Sequence, residues 1–158
     1  MTDDTVQMLR HTLAVVAYRG GKALRGAPAG FAGFQAGPST RTPAAILAHI
    51  GDLFDWALAL AEGRREWHDS APLAWEEETA RFFAALGRFD AHLASGAPLA
   101  VRPEALFQGP VADALTHVGQ LTILRGLFGA PVRGENYFIA EIAAGRVGPD
   151  QAPPRREF

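Results

Sequence analysis

The sequence predicts an all-α protein, a four-helix bundle with a short extra helix near its C-terminal end. Three observations lead there. Apolar residues recur at helical spacing in four separate stretches. No segment alternates apolar and polar residues for long enough to make a strand. The connection over 26–40, rich in Gly, Pro and Ser, is longer than a hairpin between adjacent helices needs, so one crossover is expected. A chain of 158 residues reads as a single domain, here 1–147. The tail, 148–158, has too few apolar residues to pack well and is expected to be poorly ordered.

The first helix is expected over 5–24, with Val6, Leu9, Leu13 and Val16 as its stripe and Gly20-Gly21 weakening its last turn. Phe31 and Phe34 are expected to pin the long loop. Thr42-Pro43 starts the second helix, threonine as cap and proline as first helical residue, and Gly63 ends it. Its stripe is Ile46, Ile50, Leu53, Ala57 and Leu60, with His49 at the margin. The third helix, 74–94, carries Trp75, Thr79, Phe82, Leu86, Phe89 and Leu93 at alternating fours and threes, and Glu76, Glu77 and Glu78 suit the positive end of its dipole. The fourth is expected over 108–128, opened by Gly109-Pro110 and closed by Gly129 and Pro131. A short helix follows over 137–144, capped by Asn136.

Composition narrows the function. With no cysteine there is no disulfide framework, no thiolate zinc site and no cysteine nucleophile. The formal net charge is −2 and no run of Lys or Arg occurs, which argues against a nucleic-acid partner. The opening MTDDTVQ is acidic where a signal peptide would be basic, and no apolar run approaches a membrane span, so a cytoplasmic protein is expected.

Two histidines stand within apolar helical sequence, His49 in ILAHIGDLFDW and His117 in DALTHVGQLTILR. On the fourth helix Asp113, His117 and Gln120 extend the face of Leu121, Leu124 and Phe128, and buried polar groups are costly unless paired or bound. Asp113 and His117, four apart, can share one ion, and His49 from a neighbouring helix would be the third ligand. Three protein ligands leave a position open for water or substrate, the catalytic arrangement. Two imidazoles and a carboxylate suit zinc, nickel, iron or manganese. Other readings stand beside this one. A carboxylate in a first helical turn gains from the dipole without any metal, His117 can be a hydrogen-bonded core residue, and His49 can be half-exposed. Gln120 reads as a hydrogen-bond partner of a ligand, Trp56 as core or interface, and Arg125 as a candidate anion binder. His11, His68 and His92 are expected at the surface.

A histidine in the second helix, followed by HVGQL and then LR in the fourth, resembles the DinB/YfiT-like superfamily of metalloenzymes over roughly 5–131. The resemblance implies an up-down-down-up bundle, commonly a homodimer. It also implies a metal held by one histidine of the second helix and an HxxxH pair of the fourth. His49 matches the first and His117 the last of these, while Asp113 stands where the family usually has histidine. Family members transfer or isomerise groups with a low-molecular-weight thiol such as mycothiol or bacillithiol, and others look like hydrolases acting on small molecules. Should the stretch 133–138 fold over the site, Glu135, Asn136 and Tyr137 would contact substrate. The competing expectation is a non-catalytic bundle that binds a small ligand or a protein partner, its polar cluster a structural network.

Overall fold

The computed structural model describes residues 4–158, and the described chain is helical, with no strand. Its elements are α1 (Asp4–Leu24), α2 (Pro43–Ala61), α3 (Trp75–Ala94), a single turn α4 (Pro103–Leu106) and α5 (Ala112–Leu127). A wide π-helical turn, Phe107–Val111, joins α4 to α5 so that the two run on as one rod. Short 3₁₀ turns lie at Phe31–Gly33 and Tyr137–Ile139. Helix α1 packs on α3 and α5, and α2 packs on the same two. Leu13, Val16, Ile50, Phe54, Phe82, Leu86, Phe89 and Leu121 meet at the centre.

The second and third helices begin where local chemistry puts them. Thr42 Oγ1 accepts the Ala45 N–H at 3.2 Å and Pro43 opens the first turn of α2. At the start of α3, Glu77 accepts the Ala74 N–H at 3.3 Å and Glu78 accepts the Leu73 N–H at 2.9 Å, satisfying donors that a helix start leaves free. Phe31 is buried against Trp75 and Phe128, and Phe34 also meets Phe128, so the long loop is pinned as expected.

The fourth rod starts earlier than Gly109-Pro110 suggests. Pro103 takes the first helical position and Pro110 lies inside the π turn. Proline lacks the N–H that a regular turn would use, and a widened turn accommodates that loss. Gly20 and Gly21 do not fray α1; both are buried. A Cβ on Gly20 would lie 2.7 Å from Phe82 Cζ, so glycine is what lets α1 and α3 approach here.

Helix α2 corrects another expectation: 19 residues long, with a mean hydropathy of 1.5 over an 18-residue window, it is long and apolar enough to cross a membrane. Here that apolarity is spent on packing, since α2 contacts α3, α5 and the Phe31–Gly33 turn. It also carries Asp52, a buried carboxylate that accepts the Ser70 N–H and hydroxyl at 2.9 and 2.7 Å and faces the Arg81 guanidinium at 2.5 Å. Burial alone would push this carboxyl up; the Ser70 donors and Arg81 outweigh it and hold it below its ordinary range. Arg81 also reaches Glu78 at 3.0 Å and Asp55 at 3.1 Å, tying α2, α3 and the connector together.

The C-terminal segment departs furthest from the sequence reading. Residues 137–144 form no helix beyond the Tyr137–Ile139 turn; Asn136 Oδ1 accepts the Phe138 N–H at 3.2 Å, but extended backbone at Ala140 ends the turn. The 148–158 tail packs instead of trailing. Ala152 is buried, Glu135 and Glu157 pair as an antiparallel bridge, and Lys22 holds Glu135 at 2.9 Å and Glu157 at 3.2 Å. Polar pairing anchors what apolar content alone would not. His11 and His68 are exposed as expected. His92 is not: it is half-buried, its Nδ1 4.0 Å from Glu62 and its Nε2 without a hydrogen-bond partner.

Candidate metal centre

Helices α2 and α5 lie side by side, and each presents an imidazole to the seam between them. The His49 and His117 rings stand edge to face, 4.8 Å between centroids. Asp113, one turn before His117, lies between them: its Oδ2 is 3.5 Å from His49 Nε2 and its Oδ1 is 3.4 Å from His117 Nε2. One ligating atom from each of the three residues lies within 4.8 Å of the other two. The structure thus brings the three residues singled out in the sequence together.

Their surroundings are more open than the helical wheel implies. The buried stripe of α5 runs through Ala114, Val118, Leu121, Leu124 and Arg125. Asp113, His117 and Gln120 lie along its edge, where a cleft of about 700 Å³ opens to solvent and reaches Leu124. The Asp113 side chain is 48% exposed, against 18% for His49 and 12% for His117. The polar groups are thus available to a ligand and are not a sealed core network. Ile123 and Leu127 continue the α5 wall, Ile46 lies on α2, and Ala36, Ser39, Thr40 and Arg41 line the cleft from the loop before α2.

Electrostatics favour a neutral His49. Burial, then the neighbouring His117 and Arg41, hold its imidazole below the ordinary value against the opposing pull of Asp113. His117 Nδ1 and Gln120 Oε1 are 2.7 Å apart, so Gln120 pairs with the ring of His117. Donation from Nδ1 to Gln120 leaves Nε2 as the ring atom that faces Asp113 Oδ1, 3.4 Å away. The two His–Asp separations, made by different Asp113 oxygens, come close to the spacing of neighbouring ligands, while the three atoms as a group spread over as much as 4.8 Å. Ligand bonds of about 2.0–2.1 Å in a tetrahedral site place ligand atoms roughly 3.3–3.4 Å apart.

Several sequence candidates lie elsewhere. Arg125 is buried and donates to the carbonyls of Ala23 at 2.9 Å, Arg25 at 3.0 Å and Ala130 at 2.9 Å, so it closes the C-terminal ends of α1 and α5 and is not an anion site. Glu135 is bound by the Tyr18 hydroxyl and Lys22 on α1. Tyr137 lies beneath the Arg19 guanidinium, 3.9 Å from its ring centre, and Asn136 caps its own turn. The 133–138 stretch therefore rests on α1 and does not cover the cleft. Trp56 stands one ring away from the site: it meets Trp67, and Trp67 meets the His49 ring edge to face at 5.6 Å. Trp67 and Arg41 are the neighbours that sequence reading missed. Both belong to irregular segments, where no periodicity assigns a side chain to a face.

These features define an all-helical protein with a His–Asp–His cluster at the mouth of a cleft. No family model, curated protein or solved structure matches the chain.

Proposed function

We propose that the chain is a divalent-metal-dependent enzyme of the DinB-like kind, with His49, Asp113 and His117 as the ligands. The observation that carries this reading is the convergence of the three donor groups, from two helices, on one solvent-reaching cleft. The helix contacts support the accompanying up-down-down-up four-helix bundle. With α1 and α2 each packed on α3 and α5, the first two helices occupy opposite corners, which the long connection between them suits. The reading also includes a homodimer and a low-molecular-weight thiol as cosubstrate.

A divalent ion in such a site supplies Lewis acidity, which polarises a carbonyl or makes a water or thiol nucleophilic near neutral pH. The chain's residues do the rest. Gln120 fixes the His117 ring through Nδ1, leaving Nε2 to face the cleft. Trp67 lies against the His49 ring and limits its rotation. Ile46, Ile123 and Leu127 offer apolar surface to a substrate body. The reaction class that fits is group transfer or hydrolysis.

The test is a melting curve on metal-stripped protein titrated with zinc, nickel, manganese and ferrous ions. Occupancy at about 100 times Kd stabilises by about 2.7 kcal/mol, an increase of roughly 5–10 °C for a domain of this size. His117→Ala should remove the increase while the stripped variant still folds. No gain with any of the four ions would sink the reading.

A further inference from the structure

The cleft is charged unevenly. Among the residues that line it, Asp113 is the one acid, and it already faces both histidines. Arg41 lines the same cleft, close enough to His49 to lower its proton affinity, and has no carboxylate or hydrogen-bond acceptor among the described residues. One carboxylate cannot neutralise a divalent ion, so a loaded cleft holds an excess of positive charge together with an unpaired guanidinium. On the α5 wall of the same cleft Ile123 and Leu127, 67% and 64% exposed, present an aliphatic strip one turn long.

We infer that the cleft takes a small organic carboxylate: its carboxylate pairs with Arg41, its apolar body lies along Ile123 and Leu127, and its reacting group meets the His49–Asp113–His117 cluster. This rests on the metal reading above. A guanidinium presents donors in a planar fork that matches a carboxylate, and pockets bind chiefly through apolar walls with a few placed polar groups. A single guanidinium with no second Arg or Lys lining the cleft matches one negative charge better than the two of a phosphate monoester. The field of the uncompensated charges also draws anions toward the mouth.

Zinc-loaded protein titrated calorimetrically with bifunctional hydroxamates tests this. The probes are the monohydroxamates of succinic to sebacic acid, each against the same molecule with its free carboxylate converted to a methylamide. Every probe carries the same metal-binding group, so the far end alone differs. At the best chain length the carboxylate should bind about tenfold more tightly than the amide, as a charge-assisted pair requires. Raising the salt should shrink the difference. Arg41→Ala should abolish it while the protein still takes up zinc, and Arg41→Lys should keep part of it. Equal binding of acid and amide at every length, or a preference that survives Arg41→Ala, would overturn the inference and leave the metal reading standing. Failure of the wild-type protein to take up zinc, seen before any hydroxamate is added, overturns both.

Discussion

Gln120 Oε1 stands 2.7 Å from His117 Nδ1, three residues back on the same helical face. This contact sets which ring nitrogen of His117 is left to face Asp113, so the amide orients the ring without touching Asp113 or His49. Helix geometry makes it local: residues three apart are neighbours, and α5 is regular from Ala112 onward.

Gln120→Leu should therefore weaken zinc binding by about 10–100-fold, the usual cost of removing a partner of a ligating histidine. Because Gln120 is exposed, the melting temperature of the metal-stripped protein should barely move. Calorimetric zinc affinity measured beside melting in chelator separates the two effects. Unchanged affinity would remove Gln120 from the site.

Arg125 yields the opposite pattern. Its guanidinium serves carbonyls of Ala23, Arg25 and Ala130, and substitution leaves them without a donor in a buried setting. Arg125→Ala should destabilise by about 2–4 kcal/mol, from lost hydrogen bonds together with lost packing. Zinc affinity of the folded fraction should stay within twofold, on the order of experimental scatter. Urea denaturation and zinc titration on the same preparation check both halves.

Two glycines should respond in opposite directions to the same change. At Gly20 a methyl would meet Phe82 at 2.7 Å, whereas nothing lies within 4 Å of the corresponding position at Gly87. Gly20→Ala should cost about 1–3 kcal/mol by overpacking, while Gly87→Ala should add about 0.5–1 kcal/mol through helix propensity. Chemical denaturation of the pair settles the signs, and equal effects would mean that the α1–α3 approach is looser than described.

Acid should find Asp52. Its carboxyl is held below the ordinary value of 3.8, so the folded state favours the ionised form. The stabilisation is complete above the unfolded-state pKa and fades as pH falls through the depressed folded-state pKa. Asp52→Asn should destabilise at neutral pH by about 2–4 kcal/mol, because Arg81 loses a buried partner. It should also flatten the acid limb of the stability curve below about pH 4, in the range where carboxylates titrate. Stability measured from pH 7 to 2 on both proteins provides the comparison.

How much of this was legible in the sequence varies with the range of the forces involved. Thr42-Pro43 marked α2 correctly because capping is a local event. Helical spacing found the buried faces of α2 and α3, and it brought His49, Asp113 and His117 together. It failed where two local signals competed: Pro103 and Pro110 both resemble helix starts, and nothing nearby says that the second is absorbed in a widened turn. It failed again for Arg125 and Glu135, whose roles come from α1 groups roughly a hundred positions away in the chain. Asn136 and Tyr137 went the same way once their segment settled on α1. The cleft residue Arg41 carried no signal, since the loop before it has no period that assigns a side chain to a side.

The wide turn at Phe107–Val111 has a consequence for the azimuth of everything beyond it. It fits one backbone unit more than an ordinary helical turn, and one unit is worth about 100° of rotation about the axis. Leu106 ahead of it is fully enclosed, while Asp113 just past it looks outward over the cleft. Excising a single position there would force a choice of phase. Either Leu106 would swing toward water, or the carboxylate and imidazole of α5 would turn away from His49, and the fold could persist with its chemistry dismantled.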